Sequence, residues 1–139
     1  MANITPEMRE TLENAPYPRL LGLHLLELAD GYAKVGVATR PEHASFLGVT
    51  DGSLVMSLAD YAIACSSNAS GQTRVAVQSN TNFIATPAVG SELIAEARIV
   101  HAGRTLAIVD TNVTDATGRL VAKSTGTVIA RPNQGAATK

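Results

Sequence analysis

The sequence predicts an α+β fold: one long helix wrapped by an antiparallel sheet. Three observations carry this expectation. Residues 51 to 67, DGSLVMSLADYAIACSS, are apolar nearly all the way round a helix and contain few β-branched residues, as expected of a helix inside a domain. Strand-like segments lie on both sides of it, two before and four after, separated by turn chemistry. In TLAIVDTNV (105 to 113), Thr105, Ala107, Val109, Thr111 and Val113 alternate with a set that becomes polar at Asp110 and Asn112, so one face of the sheet is covered. A helix laid on that face is the economical arrangement.

At the N-terminus, Thr5-Pro6-Glu7 supplies a cap, a first-turn proline and an acid, opening a short helix that Pro16 and Pro18 are expected to end. Residues 1 to 17 therefore read as a helical arm. LLGLHLLEL (20 to 28) and YAKVGVAT (32 to 39) flank Asp30-Gly31, a strong hairpin signal. The loop RPEHASFLGVT leads into the long helix, which NASGQ ends. Four strands are expected to follow as a meander: 74 to 85, 91 to 100, 105 to 113 and 119 to 130. The tail 133 to 139 is expected to be disordered. With 139 residues, 45% of them hydrophobic, the chain reads as a single domain, 1 to 139, with material for a core.

Composition excludes several classes. Eleven basic against twelve acidic side chains leave a net charge of -1 without a block of like charge, so nucleic acid is not an expected partner. No apolar stretch approaches the roughly 18 residues needed to span a bilayer, and the N-terminus lacks an apolar signal core. No membrane contact is expected, and the cytoplasm is the expected location. Cys65 is single, which excludes an internal disulfide, and reads as a small buried hydrophobe. His24, His43 and His101 have no metal spacing, so no metal site is expected, and His43 reads as a surface residue. A serine-hydrolase elbow is absent.

Asp60 is the exception within the greasy helix. Burying an unpaired charge costs several kcal/mol, so it is either bonded to a neighbour such as Ser57 or an arginine, or it is used. Asp51 reads as the helix cap.

The element order, together with Leu21-Gly22, Gly48...Asp51-Gly52, Ser57-Leu58-Ala59-Asp60, Asn82-Phe83...Pro87-Ala88...Gly90 and Gly103-Arg104-Thr105-Leu106-Ala107, resembles the hotdog-fold acyl-CoA thioesterases of the phenylacetate-degradation (PaaI-like) family. The likeness covers residues 18 to 131. It implies a hotdog fold and hydrolysis of an acyl or aromatic-acyl coenzyme A thioester, with coenzyme A entering as part of the substrate and no separate cofactor. The family's motif, Asn-x-x-Gly-x-x-His-Gly-Gly followed by an acid nine residues after the His, falls on Ser45, Gly48, Asp51, Gly52, Ser53 and Asp60. A hydroxyl that many members carry ten residues before the proline falls on Val77.

The resemblance therefore implies Asp60 as nucleophile or general base and the Gly52 amide, at a helix start, as oxyanion donor. Ser45, Asp51, Ser53 and Val77 become candidate substrate contacts, and Arg104 a candidate for the coenzyme A phosphates. Eight residues at about 1.5 Å each put Gly52 and Asp60 roughly 12 Å apart along one helix. One chain cannot bring both to one carbonyl, so a homodimer is expected, or a tetramer, with each site shared. The changes at Ser45, Asp51 and Val77 leave a second reading open, a hotdog protein that binds such a ligand without hydrolysing it. A dehydratase is a weaker third, since no His lies on the helix.

Overall fold

The computed structural model describes residues 4–132, so the tail expected to be disordered lies outside the described residues. Thr5 caps α1 (Pro6–Glu13), its hydroxyl accepting from the Met8 N–H at 3.1 Å. The first helix ends before the two prolines, as expected, but the arm does not end with it. Pro16 opens a second helix, α2 (Pro16–Leu21), because proline at the first helical position loses no hydrogen bond. The helix ends at Gly22, whose φ of +83° is the left-handed cap conformation. The arm thus extends to Leu21, and the first strand starts later than expected.

That strand, β1 (His24–Ala29), and β2 (Tyr32–Ala38) form the hairpin turned by Asp30-Gly31. After a 3-10 turn at Pro41–His43, α3 runs from Gly52 to Asn68. Four strands follow: β3 (Arg74–Phe83), β4 (Glu92–Ala102), β5 (Leu106–Asp115) and β6 (Leu120–Ala130). All six join one antiparallel sheet in the order β1-β2-β4-β5-β6-β3.

Only β4, β5 and β6 make the expected meander. β3 instead forms the far edge against β6, and β4 returns beside β2. Helix length explains the crossing. Seventeen residues span about 25 Å, and moving from β2 to the far edge means crossing about four strand spacings, or roughly 19 Å.

The helix packs on one face of the sheet, with Leu54, Leu58 and Ile63 in one core cluster with Val35, Leu93 and Val109, all of them buried. Small residues let it come close: a Cβ added at Gly126 of β6 would lie 2.9 Å from the Ile63 Cδ1. One expectation fails here. The helix is not covered all round: Met56, Asp60 and Ala64, four residues apart, form an exposed stripe in the single chain. An apolar pattern records that a face avoids water but not which chain covers it. The edge strand β3 is also largely exposed, and Val77 sits at a register shift between Ala76 and Gln78.

Candidate active site

Asp60 projects from the exposed stripe of α3 into a cavity of about 430 Å³, a size usual for small-molecule sites. Among the described residues it makes no hydrogen bond and no ion pair, so the structural partners that would explain it away, Ser57 or an arginine, are not engaged with it. Its carboxyl is accessible at one side, but partial burial disfavours its charge and raises its pKa above the ordinary carboxylate value. It shares the cavity with Ser57, Met56 and Tyr61 of the same helix, and with Ser79, Thr81 and Ser124 of β3 and β6. Two of those hydroxyls form a short chain: Thr81 Oγ1 donates to Ser124 Oγ (3.2 Å), which donates to the Asn80 carbonyl (2.8 Å).

Gly52 opens α3 on a different side. It lines a second cavity of about 260 Å³ together with Ser45, Phe46, Thr50 and Phe83. As the first helical residue it has an N–H with no acceptor among the described residues. The absence of a side chain leaves the amide open, with the Phe83 ring 3.4 Å from where a Cβ would stand.

Asp51 and Ser53 line a third hollow, of about 190 Å³, with Glu42, His43 and Ser57. Asp51 is the helix cap, as expected. Its Oδ1 accepts from the Ser53 N–H at 2.8 Å and from the Ser53 hydroxyl at 2.7 Å, and these bonds lower its pKa, so it is an ionised carboxylate. Asp51→Ala is expected to destabilise the fold by about 1 kcal/mol, measured by chemical denaturation.

The single chain therefore joins Ser45 to Gly52 and Asp51 to Ser53, but leaves Asp60 apart from all four. Val77, 56% exposed on the edge strand, and Arg104, exposed in the β4–β5 turn, line none of these cavities. His43 corrects the surface assignment: it is buried, its Nδ1 accepting from the Arg40 N–H (3.1 Å), so that the neutral ring donates from Nε2 to the Leu21 carbonyl (2.8 Å). Sequence reasoning also passed over Tyr17 and Tyr61, which wall the Asp60 cavity. The proline pair around Tyr17 was the available signal, since an aromatic fixed by two prolines is held in place.

Comparison with known proteins gives the family. Residues 47–122 match the Thioesterase superfamily. The chain belongs to that superfamily. By family it is a thioester hydrolase, and its PaaI-like character is shared with solved relatives. A variant of the phenylacetic acid degradation protein PaaI from Thermus thermophilus is 34% identical, with a TM-score of 0.79 over 82% of this chain and 97% of that one. Human acyl-coenzyme A thioesterase 13 is 26% identical over 133 residues, 88% of this chain and 94% of the relative. The protein smu.793 from Streptococcus mutans UA159, solved bound to acetyl CoA, is 26% identical, with a TM-score of 0.76 over 80% and 90% of the two chains.

No helix of the described residues is long and apolar enough to cross a membrane, and no group of three His, Cys, Asp or Glu among them could hold a metal ion.

Proposed function

We propose that this protein hydrolyses acyl or aromatic-acyl coenzyme A thioesters at a site shared between two subunits, Asp60 coming from one and the Gly52 N–H from the other. The observation that carries the reading is Asp60 itself, an unpartnered carboxylate of raised pKa on the wall of a ligand-sized cavity. The acetyl CoA bound to the Streptococcus mutans relative supports coenzyme A as the substrate's carrier. Coenzyme A thus enters with the substrate, no separate cofactor is required, and the cytoplasm is the proposed setting.

In the reaction the Gly52 N–H receives the charge that develops on the carbonyl oxygen. Asp60 acts in one of two ways. As base it takes a proton from water while the oxygen attacks the acyl carbon, and returns it to the departing thiolate. As nucleophile it forms an acyl anhydride, expels the thiolate, and is freed when water hydrolyses the anhydride. Either route yields a carboxylic acid and the free thiol.

A homodimer, or a tetramer built from it, is supported by two unfinished surfaces. The Met56, Asp60 and Ala64 stripe lacks a cover, and β3 presents ten edge residues with Val75, Val77 and Phe83 exposed. Two such helices running antiparallel about a two-fold axis would set the start of one beside the acid of the other. In that arrangement Ser45, beside Gly52, and Asp51 and Ser53 at the helix start are the proposed substrate contacts, with Val77 on the edge nearby. Arg104 is the cation proposed for the coenzyme A phosphates.

One observation favours a second reading, a protein that binds such thioesters without cleaving them: the Asp51 carboxylate is ionised beside the amide meant for an oxyanion. Thiol release from short, aromatic and long acyl-CoAs separates the two. Hydrolysis of at least one class is expected; silence throughout, with the thioesters still bound, supports the binder instead.

A further inference from the structure

We propose that the N-terminal arm, α1 and α2, is the acyl wall of the Asp60 cavity, and that Tyr17 and Leu12 decide which acyl groups fit; this builds on the reading of that cavity as the thioester site. The two sides of the cavity differ in chemistry. Next to Asp60 the sheet presents the hydroxyls of Ser79, Thr81 and Ser124, whereas the arm contributes Leu12, Ala15, Pro18 and the Tyr17 ring. A thioester carbonyl therefore belongs on the polar side and the hydrocarbon end of its acyl group against the arm.

No residue of α1 or α2 is fully buried, so the arm is seated by the packing of Leu12 and Leu21 against the core and by a few specific bonds. Tyr61 Oη donates to the Leu12 carbonyl (2.7 Å), His43 Nε2 to the Leu21 carbonyl (2.8 Å), and the Arg40 guanidinium to the Leu20 carbonyl (3.2 Å). Tyr61 follows Asp60 in the chain, so the residue beside the acid fixes the wall opposite it. Tyr17 has a second role: with Ser57 of α3 it borders both the 430 Å³ cavity and the 190 Å³ hollow at the start of that helix. Removing the ring opens one into the other and admits a longer acyl group.

Calorimetric binding of hexyl and dodecyl thioether analogues of coenzyme A, which cannot be hydrolysed, tests the wall independently of turnover. Tyr17 is 62% exposed, so Tyr17→Ala is compatible with folding; Leu12→Ala is the companion variant. Each is expected to raise the dodecyl-to-hexyl affinity ratio by at least about fivefold, the scale of a single newly buried methylene. A ratio within twofold of the parent's in Tyr17→Ala overturns the wall, as does failure of the parent protein to bind either analogue. A shifted ratio in a protein that hydrolyses no thioester upholds the wall and removes the hydrolase reading alone.

Discussion

Asp60→Asn is expected to lower kcat by at least about a hundredfold, because the amide can neither take a proton from water nor attack an acyl carbon. The structure separates this effect from misfolding. Asp60 has no hydrogen bond or ion pair among the described residues, so the substitution breaks no contact within the chain.

Its raised pKa also fixes the sign of two further effects. The reactive form is the carboxylate, so activity in the parent protein falls as pH drops through the folded-state pKa, and the acid limb lies above the ordinary range for aspartate. For stability, a carboxyl that holds its proton more tightly in the folded chain favours folding fully below its unfolded pKa, and this contribution is lost as pH rises through the folded value. At neutral pH the ionised group is therefore a burden on the fold, and Asp60→Asn is expected to melt at the same temperature or higher. Stopped thiol release with an unchanged or raised Tm is the expected combination. Comparable turnover in the two proteins would remove Asp60 from the mechanism.

Gly52→Pro tests the other half of the site. Proline deletes the N–H and nothing else that the helix needs, since it is favoured at the first helical position, and Asp51 before it already has the extended backbone that proline requires, with ψ at 138°. Loss of one oxyanion donor is expected to lower kcat about a hundredfold or more. The proposed sharing of the site between subunits makes a stronger demand. When Asp60→Asn and Gly52→Pro chains are mixed, unfolded and refolded together, half of the dimers formed at random are hybrids, and each hybrid holds one site with both groups intact. Activity should recover to about a quarter of the parent's. If both single variants are inactive and the mixture stays inactive despite verified hybrid formation, the two groups do not serve one carbonyl.

The sequence disclosed the architecture where local chemistry decided it. Asp30-Gly31 turned the first hairpin, the apolar run from Leu54 to Cys65 formed the helix that fills the sheet, and the alternation in β5 placed Ala107, Val109 and Val113 inside. It did not disclose the strand order, because local chemistry marks each strand but not its neighbours; the polar run Gln78 to Asn82 in β3, against the alternating apolar residues of β4, fits the edge position only once the order is known. The proline pair told half of the story: α1 does end before it, but proline stops a preceding helix and starts a following one with equal ease, and α2 begins at Pro16.

At the site, Asp60 and the cap at Asp51 were legible because a carboxylate in each place has few physical explanations. His43 was not, since the carbonyl that holds its ring belongs to Leu21, twenty-two residues away. Tyr17 and Tyr61 were equally hidden, because a cavity wall is assembled from segments distant in the chain.

The ten-residue open edge of β3 has a consequence for the cell as well as for catalysis. A long strand edge with Val75, Val77 and Phe83 exposed is a template for any other unpaired strand. Between Val75 and Phe83 it carries neither proline nor charge, and the register shift at Val77 is the irregularity that interrupts it. A second copy seated on it, as the proposed dimer requires, would remove that template, so the contact that completes the site would also guard against aggregation.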